Sequence, residues 1–428
     1  FFFFKRLVKE MAEPRYFLNE LPDYVPELSA VTTSDHSSTD CRKKAKRTQV
    51  DELLWRPHNE FSKKIQSSAT ELKDMVVRKT WLSCKNRLKD YCLYTGALGT
   101  AFLLFKSFQV TNDEKDLKLC SEIIDSCASA SKGSGPVTFI CGTSGVSALG
   151  AVVAKYSNDN KKLDKYLTNF KEIKFPTDLP YELLYGRAGY LWSCLFLNSH
   201  LGKEAISQSF LQEIADEIII SGRNFHQKGN CPLMYEWHGK KYWGAAHGLA
   251  GIMHILLHID LKPDRIQDVK STLRYMIKNR FPSGNFPSSE GSDADRLVHW
   301  CHGAPGIALT FIKAAEVFGD DEFLQAAKDA AEVVWSRGLL KRVGICHGIS
   351  GNTYVFLALY RITNEAKYLH RAKAFTSFLH HEAISLISQS KMNGGDHPFS
   401  LFEGIAGMAY LFFDIINPLQ ARFPAYEL

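Results

Sequence analysis

Two segments of this 428-residue chain carry cysteine and histidine in the same register. They are His299-Trp300-Cys301-His302-Gly303-Ala304-Pro305-Gly306 and Gly344-Ile345-Cys346-His347-Gly348-Ile349-Ser350-Gly351. In each, cysteine lies two residues before a glycine and histidine one before. A third segment, Ala245-Ala246-His247-Gly248, supplies the histidine alone. Thiolates with an imidazole suit zinc, and three protein ligands leave a fourth position open, as catalytic zinc sites do. Where the glycines open helices, the positive end of the helix dipole also favours the thiolate. A lone Cys-His pair would read as a small buried hydrophobe beside a structural histidine. Two pairs at equivalent positions favour a metal site built from Cys301, Cys346 and one histidine. Spacing alone does not choose between His302 and His347.

These residues can meet only if distant loops are brought together. A Gly-x-x-Gly step recurs at Gly96/Gly99, Gly142/Gly145, Gly186/Gly189, Gly248/Gly251, Gly303/Gly306, Gly348/Gly351 and Gly404/Gly407. The first glycines are 44 to 62 residues apart, a period that signals one supersecondary unit used repeatedly. Each unit reads as an inner helix, apolar nearly all round and therefore buried, followed by an amphipathic outer helix. Gly186–Leu197, Gly248–Ile259 and Gly303–Phe318 are inner stretches. In the outer stretch Asp321–Arg337, Phe323, Ala327, Ala330 and Val334 recur at helical spacing, and Asp320 and Asp321 suit its start. Glycine in a helix costs roughly 1 kcal/mol relative to alanine. Two at every inner start therefore need a reason, and close approach between crowded inner helices is the expected one. Strand patterns are absent. The predicted architecture is all-α, an inner ring of seven helices inside an outer ring, with the loops before the glycines facing a common mouth.

The composition, 45% hydrophobic and 23% charged, fits a globular chain with a large core. A formal net charge of +6 is modest and calls for no nucleic-acid partner. The ten cysteines lack the dense spacing of a disulfide scaffold, and no secretory-type leader is read ahead of them, so a reducing, cytoplasmic setting is expected. Phe1–Phe4 is too short for a signal core, and Met11 is read as the native start. No apolar run reaches the roughly 20 residues that span a bilayer. Residues 1–52 are polar and irregular. Their basic run Arg42–Arg47 reads as a solvated face, with a nuclear signal or peripheral contact to anionic lipid as the alternative. An amphipathic helical pattern from Leu53 to Lys89 leads into the first repeat, and residues 53–428 read as one domain.

The pattern resembles the lanthionine synthetase C-like family, its plant branch in particular. The resemblance rests on Glu182-Leu183-Leu184-Tyr185-Gly186-Arg187-Ala188-Gly189, residues 242–251, both Cys-His-Gly segments, Pro398-Phe399-Ser400-Leu401-Phe402-Glu403-Gly404 and Arg422–Leu428. It covers about residues 50–428. It implies an α/α toroid of seven inner and seven outer helices with one zinc, held by Cys301, Cys346 and His347. In bacterial relatives the zinc activates a cysteine that adds to dehydroalanine or dehydrobutyrine and closes a thioether ring. Eukaryotic members bind glutathione and are implicated in adding it to dehydrated residues of damaged proteins. By this resemblance His247 matches the acid/base histidine, and Glu182 falls where bacterial enzymes carry its aspartate partner. His302 replaces a bacterial tyrosine and joins His247 as a candidate acid. Lys341 or Arg342 matches a glutathione-contacting position, Arg15 is a further candidate for that ligand, and Asn393 falls where a relative carries arginine.

The chemistry fits the residues. Adding a thiol to an electron-poor alkene needs a thiolate at neutral pH, and zinc depresses a thiol pKa strongly. It also needs a proton for the resulting carbanion, a task suited to histidine. Glu182 could instead cap the inner helix it precedes. The functional expectation is zinc-dependent addition of glutathione to dehydroamino acids in proteins or peptides. The alternative is a non-catalytic zinc- and glutathione-binding signalling protein. A toroidal glycosidase ranks last, because it needs two carboxylates across the mouth.

Overall fold

The computed structural model describes residues 14–26, 48–84, 88, 90–132, 135–226 and 230–428. Met11 and the basic run Arg42–Arg47 lie outside the described residues. Helices α1 (Gln49–Leu54) and α2 (His58–Thr80) come first. Inner–outer pairs follow: α3/α4 (Ala97–Thr111, Glu114–Ala130), α5/α6 (Thr143–Tyr156, Asn160–Lys171) and α7/α8 (Arg187–Leu201, Gln208–His226). Next come α9/α10 (Leu249–Leu256, Pro263–Lys278), α11/α12 (Ala304–Phe318, Asp321–Arg337) and α13/α14 (Ile349–Thr363, Ala366–Ser388), then α15 (Ile405–Asp414) alone. Each inner helix packs on the next and α15 packs back on α3, so the ring closes. Among the described residues the chain is all-helical, with isolated bridges in place of sheets. No described helix is long and apolar enough to cross a membrane.

The last inner helix takes its outer partner from the other end of the chain. Helix α2 packs against α15, with Phe61, Ile65, Ala69, Leu72 and Val76 forming its buried stripe. The amphipathic pattern after Leu53 thus closes the seventh repeat rather than opening the first. Helix α12 spans the residues expected of it, but the Asp320 side chain makes no cap bond. Its carboxylate is held instead by Lys270 at 2.6 Å and Arg274 at 3.3 Å, on the neighbouring outer helix.

The paired glycines have a local cause as well as the expected one. The loop before each inner helix folds back, so a Cβ on the second glycine would fall on the carbonyl oxygen six residues earlier. For Gly145 that oxygen belongs to Phe139 and for Gly351 to Ile345. Contact between neighbouring repeats adds to this in places, as where Gly189 meets Thr138. The crowding is therefore chiefly between each helix and its own loop.

Two peripheral segments complete the body. Residues 14–26 lie along the outside: Phe17 N–H donates to the Leu339 carbonyl at 2.7 Å, and Asp23 pairs with Arg371 at 2.6 Å. The division drawn between residues 52 and 53 falls within α1, whose start Thr48 caps. Residues 421–428 rise into the lumen of the inner ring. There the fully buried Tyr426 shares a hydroxyl–hydroxyl hydrogen bond with Thr310 at 2.8 Å and accepts from Trp192 Nε1 at 3.0 Å on its carbonyl.

Candidate functional site

Backbone hydrogen bonds between neighbouring loops set the register of the mouth. In four of the seven repeats the residue two places before the step glycine donates its N–H to its counterpart in the next repeat. The chain of bonds runs from Cys301 to the Cys346 carbonyl (3.3 Å), from Cys346 to Phe402 (2.8 Å), from Phe402 to Tyr94 (3.2 Å) and from Tyr94 to Ile140 (3.2 Å). Residues at this position are therefore spatial neighbours, which makes two cysteines there a pair. The donor atoms of Cys301, Cys346 and His347 all lie within 4.8 Å of one another. Two sulfurs and one imidazole nitrogen at that separation fit a tetrahedral zinc, with Zn–S near 2.3 Å and Zn–N near 2.0–2.1 Å. Cys301 and Cys346 are both buried, and His347 is half-buried.

The histidines of the two matched loops part company at their glycines. Gly348 is extended at φ −134°, whereas Gly303 takes φ +108°, a conformation that side-chain-bearing residues rarely adopt. Asn285 secures that loop, accepting the Ala304 N–H at 2.8 Å and donating to the Leu297 carbonyl at 3.0 Å. His302 consequently lies outside the three-donor cluster and tilts against Tyr242 at 5.6 Å, its buried Nδ1 without a partner. Burial holds the His302 ring down at about 4 and the neighbouring His299 at about 3. Burial also opposes charge on His347, but the adjacent Cys346 sulfur outweighs it and raises the ring's pKa.

Glu182 and His247 form a second unit on the adjoining loops. The buried Glu182 carboxylate accepts from the Leu184 N–H at 2.8 Å and the Tyr185 N–H at 2.5 Å, and from His247 Nδ1 at 2.8 Å. It does not cap α7, whose N-cap, Gly186, has no side-chain bond. A carboxylate only accepts, so Nδ1 carries the proton and His247 Nε2 is left for other chemistry. The ring is 18% exposed and stacks on Trp237 at 4.2 Å.

The cationic candidates separate by side. Lys341 and Arg342 alternate along a short extended segment. Arg342 reaches inward, with Nη1 3.2 Å from His347 Nε2, whereas Lys341 Nζ lies over the Phe17 ring at 5.8 Å. Arg15 is exposed, accepts the Lys341 N–H on its carbonyl at 2.9 Å, and acts electrostatically on His299 together with Arg342. Asn393 N–H donates to the Lys341 carbonyl at 2.9 Å, and its side chain accepts from Gly395 N–H at 2.8 Å. Two residues of the mouth escaped the sequence reading. Tyr94, whose hydroxyl sits against the Cys346 sulfur, occupies the same register position as the cysteines and was findable from it. Trp237, on a loop between repeats, has no such signal.

With this geometry in place, three comparisons agree. The chain is 45% identical over 383 residues to the LanC-like protein GCL1 of Arabidopsis thaliana, covering 84% of this chain and 88% of that protein. It is 38% identical over 360 residues to a Danio rerio protein named glutathione S-transferase LANCL1, covering 79% and 86%. The structure of nisin cyclase superposes with a TM-score of 0.59 at 17% identity, covering 85% of this chain and 96% of that one, and shows the same α/α toroid. The family model described as lanthionine synthetase C-like protein matches residues 88–428, and the chain belongs to that family.

Proposed function

We propose that this protein adds the thiol of glutathione to dehydroalanine or dehydrobutyrine residues of proteins or peptides, with one zinc held by Cys301, Cys346 and His347. The observation that carries this reading is the convergence of a three-donor cluster and a carboxylate–histidine dyad on one mouth. Bound there, zinc would lower the pKa of a thiol and so supply a thiolate at neutral pH. The protein's own groups account for the rest. His247 Nε2 takes the thiol proton, while Glu182 on Nδ1 fixes the ring's tautomer and stabilises its charged form. Sulfur bonds to the β-carbon as the alkene's π electrons pass to the α-carbon and its carbonyl. His247 then returns the proton to the α-carbon, leaving a thioether and a neutral imidazole on the Glu182 carboxylate. Arg342 and Arg15 supply positive charge for the glutathione carboxylates, with Lys341 further out. His302, beside Tyr242, stands near His247 as a second imidazole, kept neutral by burial and so placed to relay a proton rather than to hold one. The zebrafish relative's name and the likeness to nisin cyclase support this reading.

The test is incubation with glutathione and a dehydroalanine peptide, read by mass spectrometry with metal analysis of the same samples. Wild type is expected to carry about one zinc per chain, and Cys346→Ala to lose both the metal and the adduct rate. Equal rates for wild type and Cys346→Ala, with zinc present in the wild type, would leave the protein a zinc- and glutathione-binding protein without this activity.

A further inference from the structure

The wall of the mouth opposite the cationic residues is aromatic. Between α8 and α9 the chain forms a tight hairpin in which Trp237 N–H donates to the Lys240 carbonyl at 3.0 Å and Lys240 N–H returns the bond at 3.1 Å. The two central residues, His238 (φ 49°) and Gly239 (φ 71°), both take positive φ, the signature of a type I′ turn. This hairpin lies within the longest interval between first glycines, 62 residues from Gly186 to Gly248, so it is material added to the repeat. It lays Trp237 parallel to His247 at 4.2 Å and to Tyr185 at 5.8 Å. Tyr185 is parallel to the His247 ring within 2°, and Tyr242 closes the far side at 6.0 Å. The Tyr185 ring is 39% exposed, unusual for a large aromatic residue beside a buried carboxylate, and the hairpin tip is exposed as well.

We infer that Tyr185, Trp237 and Tyr242 form the seat for the polypeptide acceptor, taking a flat aromatic side chain next to its dehydro residue. The inference rests on the proposed reaction for its substrate pair and adds to it the division of the mouth. Glutathione brings carboxylates, which match Arg15 and Arg342 on one wall, while the rings stacked about His247 are uncharged and the hairpin's cations, Lys240 and Lys241, follow its two-residue turn. Parallel rings with an open edge suit a π face or apolar plate, and an aromatic contact of this kind changes affinity by about three- to tenfold. Seated there, the acceptor's alkene lies beside His247, the group that must protonate it.

The test compares two hexapeptides that differ only in phenylalanine or serine beside a central dehydroalanine, together with unreactive analogues bearing alanine at that centre. Calorimetry on the glutathione-saturated protein should show the phenylalanine analogue binding about three- to tenfold tighter than the serine analogue. Trp237→Ala should abolish that difference, and Tyr185→Ala should reduce it. In turnover the preference should reside in KM, with the kcat ratio of the two peptides near one. Equal binding of the analogues by wild type, or a preference that survives Trp237→Ala and Tyr185→Ala, would overturn the assignment. Because binding is read on unreactive analogues, a preference without adduct formation would sink the proposed reaction and leave the seat standing.

Discussion

The mouth and the lumen of this toroid both contain histidines; His299 and His302 at the mouth are held low by burial as the lumen pair is, but His247 and His347 have partners that the lumen pair lacks. At the mouth, His247 stands on a carboxylate and His347 beside a sulfur and a guanidinium. In the lumen, His254 is 1% exposed, stacks on Tyr426 at 4.0 Å and bonds only to a backbone carbonyl, that of Tyr426, at 3.1 Å. Burial drives its pKa well down and that of its neighbour His258 to about 3. A carboxylate or sulfur partner favours a charged imidazole, whereas burial beneath residues 421–428, with the Lys313 cation nearby, keeps it neutral. The same residue type thus serves packing at one end and, in the proposed reaction, proton transfer at the other. What differs is the partner.

The largest way to break this contrast is at Tyr426. If residues 421–428 are a structural plug, Tyr426→Ala removes a fully buried ring and should cost about 3–5 kcal/mol of stability. Chemical denaturation reads that loss, and metal analysis of the folded fraction should still find zinc. A loss below about 1 kcal/mol, or loss of zinc from folded protein, would merge the two regions into one site.

Glu182→Gln probes the mouth in the complementary way. The amide keeps the shape but removes the charge that orients His247, so thiol addition should fall about 10- to 100-fold with zinc content unchanged. An unaltered rate would make Glu182 a loop-shaping residue, held by its bonds to Leu184 and Tyr185.

The smallest effect is a pH dependence of stability. Folded His258 binds its proton only near pH 3, whereas an unfolded histidine does so near 6.5. Between those values the unfolded chain takes up a proton that the folded chain refuses. Stability is therefore intact above about pH 6.5 and falls as pH drops toward 3, by up to about 1.4 kcal/mol per pH unit from this group. His258→Asn should flatten that slope between pH 7 and 5 in urea titrations, and an unchanged slope would show His258 to be accessible to protons when folded.

Much of the fold could be read from local pattern, because the repeat writes itself into glycine spacing and apolar periodicity. Helix α12 runs from Asp321 to Arg337 as its pattern predicts, and the inner helices begin at the step glycines. The pairing of α2 with α15, more than 300 residues away, leaves no local trace, since any amphipathic helix could cover that face. Nor does the Trp237 hairpin announce its neighbour: its turn is local chemistry, but its stacking on His247 is not. At the candidate site the register of Cys301 and Cys346 was legible, and so was that of Tyr94, which nevertheless went unread. Lys341 and Arg342 were indistinguishable in sequence, because alternation separates them only once the segment is extended and one side faces the mouth.

The sequence by itself determined that equivalent loops recur and that two of them bring cysteine and histidine in step. Periodicity is a property of the chain and survives without coordinates. Spacing left open which histidine joins the cysteines, and the family resemblance implied His347; only the tertiary structure gave the physical reason, the opposite φ of Gly303 and Gly348. It alone gave the Glu182–His247 distance, a pairing the resemblance had implied, and showed that residues 421–428 fill the lumen. Those relations are distances between residues far apart in the chain, and a closed ring sets such distances through packing rather than through spacing.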